Sequence, residues 1–370
     1  MSAQAELPIE EPTLLENFRA SIAGVFAKEA RWRMRGRRAF VVVTIYLALL
    51  GILVLGVYRL ISERAAFDAG FIGGFNERPM PVPTDVVSAS VSTEIGQAVF
   101  ITILIFQTLL TVMLAPALTS GAVAMEREKQ TLDMLITTPV STIGIVLGKL
   151  VSSLAFLLLL ICGSLPLMAI VFTLGGIAPD DVVRAYLLLF VTAFGLGSIG
   201  LFMSALVKRT QMATAISFVI VLILALGSLA IHTYILAAQT RPFFDPESEP
   251  RTAPEALLWL NPFVADVDLL CTALPNTGGG PCSYIATVTG IELDPVRPAR
   301  DSFWPRSMAA FIVLGVTLTL LTTQLIAPSR RFRRTRTPPP TAGFAGGQPG
   351  MDNPRSATTR DDGGGQPADG

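Results

Sequence analysis

Residues 143–174 read IGIVLGKLVSSLAFLLLLICGSLPLMAIVFTL, and Lys149 is the one charge in the run. About 20 helical residues cross a ~30 Å hydrocarbon core. The backbone must satisfy its own hydrogen bonds there, so the run predicts a transmembrane helix. It is longer than a bilayer needs, and tilt or an extension into the headgroups absorbs the excess. Working outward, comparable apolar runs occupy 39–61, 95–124, 183–207, 212–238 and 305–328. The expected fold class is an all-α membrane protein with six transmembrane helices. Composition agrees: 51% of residues are hydrophobic and 15% charged, against about 25% charged in an average soluble chain.

The formal net charge is zero and says nothing about partners, but its distribution orients the chain. Arg31, Arg33, Arg35, Arg37 and Arg38 precede the first run. Arg127, Lys129 and Lys149 lie between the second and third, and Lys208 and Arg209 between the fourth and fifth. Arg330, Arg331, Arg333, Arg334 and Arg336 follow the sixth. Six crossings put all four clusters on one side, which the positive-inside rule makes cytoplasmic together with both termini. The expected location is the plasma membrane. The first run begins at Ala39 and is too long for the apolar core of a signal peptide, so it reads as a span.

Residues 1–13 form a flexible, acidic tail, and 14–38 an amphipathic interfacial helix ending in the basic cluster. Leu15, Phe18, Ile22, Val25 and Phe26 share its apolar face, which Glu29 interrupts. The six-helix transmembrane domain covers 39–328, and 329–370 is a basic, then Pro/Gly-rich tail expected to be disordered. Between the fifth and sixth runs lies a long outer segment, 239–304. Its stretch 254–274 is moderately apolar but contains Asp266 and Asp268. An unpaired Asp at mid-bilayer costs about 2.5–3.5 kcal/mol, so an interfacial or re-entrant helix is expected rather than a seventh crossing. Cys271 and Cys282 fall in this segment, as a disulfide in an oxidising compartment or as two free thiols. Cys162 is read as a packed thiol of the third span.

Several sequence matches carry no chemistry. Gly195-Leu196-Gly197-Ser198-Ile199-Gly200 has the spacing of a dinucleotide fingerprint but lies inside an apolar helix with no strand before it. Small residues that allow close helix packing explain it better. Gly144 to Leu150 resembles a phosphate loop, one residue short and without the Ser or Thr that binds magnesium. Lys149 there is expected to snorkel to the surface. His232 is the sole histidine. Ser198 with His232 nominally suits an intramembrane protease, but the usual Gly-x-Ser-Gly setting is missing. No catalytic, cofactor or metal site is expected, nor any nucleic-acid partner.

The informative segment runs from Ala124 to Ser141 and reads AMEREKQTLDMLITTPVS, followed by Gly148-Lys149-Leu150. Alternating charges from Glu126 to Asp133 meet the apolar Leu132, Leu135 and Ile136. The pattern predicts a short amphipathic helix, 125–137, ending before Pro139, with Glu126, Glu128 and Lys129 turned to a soluble partner. The plain alternative is a solvated loop.

This segment resembles that of ABC transporter permeases of the ABC-2 type. Their signature is an acidic-basic run, then Thr, an aliphatic residue, an acid, two aliphatics and a Thr-Pro turn, with a Gly-Lys pair opening the next helix. Glu126, Glu128, Thr131, Leu132, Asp133, Leu135, Thr138, Pro139, Gly148 and Lys149 match it. Gln130 stands where the family usually has glycine, which predicts a slightly more helical loop, and Asp133 replaces the commoner glutamate. Lys28-Glu29 and the long segment before the sixth span extend the resemblance over 14–330.

The resemblance implies a permease subunit of an ATP-driven exporter, not itself an enzyme, with ATP bound and hydrolysed on a separate ABC ATPase subunit. It also implies pairing with a second copy or a paralogue around a path through the bilayer. Glu126, Arg127, Glu128, Lys129, Thr131, Leu132, Asp133, Leu135 and Pro139 would carry the ATPase coupling, with Lys28 and Glu29 bracing from the side. A non-transporting membrane scaffold or assembly factor is the alternative function, and an intramembrane enzyme a third. Gln107, Thr108, Thr111, Ser152, Ser153, Thr322 and Gln324 either line a path or join helices. The spans contain no carboxylate pair of the kind that couples transport to protons or sodium.

Overall fold

The computed structural model describes residues 37–75, 84–130, 142–239, 254–273 and 303–326. All belong to one compact unit, Met1–Ala327; the second unit, Pro328–Gly370, lies outside the described residues, as does the interfacial helix expected over 14–36. The helices are α1 (Arg37–Phe75), α2 (Thr84–Thr119), α3 (Ala124–Glu128), α4 (Thr142–Gly163), α5 (Leu165–Leu174), α6 (Pro179–Leu206), α7 (Thr210–Leu222), α8 (Ser228–Gln239), α9 (Pro262–Ala273) and α10 (Phe303–Ile326). No strand occurs among the described residues.

Six helical stretches are long and apolar enough to cross a bilayer: Phe40–Arg64, Ser92–Glu128, Thr142–Leu174, Pro179–Leu206, Thr210–Ile235 and Phe303–Ile326. They coincide with the six apolar runs to within a few residues, so the protein is an all-α, multi-pass membrane protein. Its two ends are distinguishable. Lys129, Lys208 and Arg209 mark a basic end, and the turn Gly175–Ala178 marks the opposite, turn end. At that turn Gly175 and Gly176 take φ of 85° and 90°, where side chains are rarely accommodated. Ser92 Oγ donates to Leu174 O at 2.7 Å and joins α2 to α5.

The central helix is α6, packed on α10, α2, α7 and α4. Its most apolar window is 67% buried, against 17% for the first span, whose Phe40, Ile45, Ile52 and Leu55 point outward. The small residues of the false dinucleotide match make this centre possible. A Cβ on Gly195 would stand 3.1 Å from Phe311 O of α10, and one on Gly197 2.9 Å from Leu154 of α4. On Gly200 it would stand 2.1 Å from Thr119 Oγ1 and 3.1 Å from Pro116 O of α2. Three glycines therefore face three different helices, a packing role with no loop geometry for a nucleotide.

Residues 254–273 contain no helix long enough to be a span. They form a 3₁₀ turn (Glu255–Leu258) and the 12-residue α9, about 18 Å long at 1.5 Å per residue. The segment is lodged within the bundle: Val264, Ala265, Leu269 and Leu270 are buried, and α9 packs on α10, α6 and α2. Its fastenings are polar. Asn261 Oδ1 accepts the N–H groups of Phe263 and Val264 at 3.1 and 3.2 Å, capping α9. Asn261 Nδ2 donates to Ala225 O at 2.7 Å and Ser228 Oγ at 2.9 Å. Ala225 lies in a π-helical turn, Ile223–Gly227, which joins α7 to α8. Such a turn frees a carbonyl from the regular ladder, and Asn261 supplies the missing donor. On the other side Asp268 Oδ2 accepts the Trp304 N–H at 2.8 Å, at the start of α10, and Ser307 Oγ donates to Trp259 O at 2.7 Å.

Candidate functional site

The site begins where the second span breaks. Pro116 lacks the N–H of a regular ladder, and α2 stops at Thr119. A turn over 120–123 then leads into the short α3. A helix break leaves backbone groups without partners, and buried ones must find them elsewhere. Here each neighbouring span supplies one. Ser204 Oγ of α6 accepts the N–H groups of both Val123 and Ala124 at 2.9 Å. Lys149 of α4 donates to Ala122 O at 3.2 Å and to Glu126 Oε1 at 2.5 Å. Ser120 and Thr214 of α7 share a hydrogen bond of 2.7 Å between their hydroxyls.

Glu128 completes this clamp. The first helical turn of α7 has Arg209 at its N-cap and no capping side chain of its own. Glu128 Oε1 accepts the Thr210 N–H at 2.7 Å instead. A carboxylate there satisfies an orphan donor and complements the positive end of the helix dipole. The two glutamates thus bind inside the chain, one to α4 and one to α7.

Lys149 does not snorkel: it is 3% exposed and directed at the break. Carrying its charge inward succeeds because a carboxylate and a carbonyl receive it. Glu126 is turned in to Lys149, whereas Glu128 stays exposed while it holds Thr210; on α3 and the turn after it, Met125, Glu128, Lys129 and Gln130 are the outward residues. Of the helix expected over 125–137, α3 covers the part up to Glu128, and 131–137 lie outside the described residues; Gln130 takes φ 57°, the left-handed region. At position 130 glutamine adopts the left-handed conformation that glycine would. Replacing Gln130 by glycine should stabilise the protein by up to about 1 kcal/mol by removing the left-handed penalty, while Gln130→Val should destabilise it. Thermal unfolding in detergent measures both.

Thr131, Leu132, Asp133, Leu135 and Pro139, together with Lys28 and Glu29, lie outside the described residues. So does Cys282, whereas Cys271 is buried on α9. Cys162 is a free thiol and exposed on the bundle surface rather than packed. Ser198 donates to Gly195 O at 2.6 Å, within its own helix. Of the polar span residues, Thr111, Ser152 and Thr322 bond carbonyls of their own helices. Gln107 Nε2 crosses between helices to the Tyr46 hydroxyl, and Ser164 and Tyr186 share a hydrogen bond of 2.7 Å. No cluster of three or more metal-ligating side chains occurs among the described residues.

Sequence reasoning missed Ser204, Thr210 and Thr214. Each looks like an ordinary small polar residue, and only the break in the second span gives it a partner. A comparison with curated proteins finds no match. The sequence profile of the family described as ABC-2 family transporter protein matches residues 23–323, covering five spans and most of the sixth, the helix break and its clamp, and the chain belongs to that family.

Proposed function

We propose that this membrane transporter is the permease subunit of an ATP-driven exporter. A separate ABC ATPase subunit binds and hydrolyses ATP and drives it through the loop that begins at α3. The observation that carries this reading is the clamp. Lys149, Ser204, Thr210 and Thr214 tie the start of that loop to α4, α6 and α7, so a displacement of the loop is delivered to four spans at once. A partner's closure can bias two arrangements of the spans only through such differential contacts. Met125, Glu128, Lys129 and Gln130 form the outward side of the lever, and Thr131, Leu132, Asp133, Leu135 and Pro139 continue it. Lys28 and Glu29 brace it from the N-terminal helix. The basic end faces the cytoplasm of a cell bounded by the plasma membrane, and a second copy or a paralogue completes the path.

Co-purification with the ATPase, in nanodiscs with lipid, tests the reading. The chain alone should not hydrolyse ATP, and the complex should. Cysteines at Lys129 and Arg209 should resist impermeant reagents in intact cells, while one at Asp180, exposed at the turn end, should react. Outside labelling at 129, or full transport without an ATPase, overturns it.

A further inference from the structure

A second feature, remote from the clamp, lies at the inserted helix α9. Asp266 is 2% exposed there, on a helix too short to span and buried against α2, α6 and α10. Its polar neighbour is the Thr108 hydroxyl of α2. Asp266 Oδ2 and Thr108 Oγ1 are both buried, and neither makes a hydrogen bond of regular geometry among the described residues. The other fastenings of the segment, at Asn261, Asp268 and Ser307, are satisfied by neutral or helix-terminal groups. Asp266 alone sets an acid against a neutral hydroxyl.

The charged and titratable groups on the surrounding elements are engaged elsewhere. Arg306 of α10 pairs with Glu255, and Arg184 of α6 pairs with Asp181. Tyr186 of α6 bonds Ser164, Asp268 of α9 caps α10, and Glu94 of α2 is exposed, as is Asp180 of α6. Among the described residues, no cation faces Asp266. An ionised carboxylate buried without a cation is costly, and a proton removes that cost.

We propose that Asp266 is a proton-binding site that holds α9 seated among the spans, and that loss of this proton releases α9 toward solvent. Burial pushes the Asp266 carboxyl up from 3.8 to about 8, and the Thr108 hydroxyl pulls it partly back. The sign follows from linkage. The seated form binds the proton more tightly than a hydrated form, so its advantage is lost as pH rises from the ordinary carboxylate range up to about 8. Above that, both forms are ionised and the dependence ends. The ligand is the proton itself, and the device is a pH-sensitive plug.

Hydrogen exchange of the full chain in nanodiscs, read on peptides covering 262–273, tests this. After correction for intrinsic exchange, wild-type protection should fall by up to about tenfold per pH unit above about pH 5 and level off near pH 8. Peptides from the centre of α6 should not change. Asp266→Asn, neutral at every pH and nearly the same shape, should stay protected throughout. Thr108→Val removes a group that favours the ionised form, so it should move the levelling point to higher pH. Flat wild-type protection overturns the proposal, as does a slope that persists in Asp266→Asn. If Asp266→Asn fails to accumulate, an unmoved levelling point in Thr108→Val overturns it.

Discussion

Lys149→Ala should lower the stability of the protein by about 2–3 kcal/mol, because it strips a partly buried carboxylate and a turn carbonyl of their donor together. The Lys149 side chain is 4% exposed and that of Glu126 27%, so the loss stands below that of a fully buried pair. The substitution should also uncouple: transport falls while nucleotide binding by the assembled complex persists, since Lys149 faces Glu126 and Ala122 O rather than a phosphate. A double change, Lys149→Met with Glu126→Gln, should recover part of the stability because no charge is left stranded. Thermal unfolding of the four combinations gives the coupling energy. Additive losses would mean that the pair contributes nothing.

Gly200→Leu should cost about 3 kcal/mol or more, the upper range of overpacking. The added side chain meets Thr119 Oγ1 at 2.1 Å and the Pro116 backbone at 3.1–3.2 Å. Backbone cannot rotate aside as a long side chain can, so α2 and α6 must part where the clamp sits. Gly56→Leu is the matched control, because a Cβ on Gly56 meets nothing within 4 Å. Fluorescence-detected gel filtration after heating compares the two. Equal melting temperatures would remove the close crossing of α2 and α6 from the account.

The spans were legible because about 20 apolar residues in one run have few alternatives to a membrane helix. The shortness of the helix in 254–273 agrees with a related argument: two carboxylates are too costly for the bilayer core. Their fates were not legible. Asp268 finds the end of α10 and Asp266 a buried hydroxyl, and both partners are remote in sequence. The break after Thr119 was hidden because the run remains apolar through Ala124, and helical periodicity cannot show where hydrogen bonds lapse. The loop was read from its charges, which suggested a surface. Glu126 bonds Lys149 and the exposed Glu128 bonds the Thr210 N–H, so reversing their charge would test the clamp together with a docking face.

Lys129 is the better probe of the partner, being exposed just beyond the clamp. A photo-crosslinker encoded at position 129 of an active complex should attach to the ATPase subunit, and one at position 180, at the turn end, should not. An active complex that crosslinks from 180, or not at all from 129, would contradict coupling through this loop.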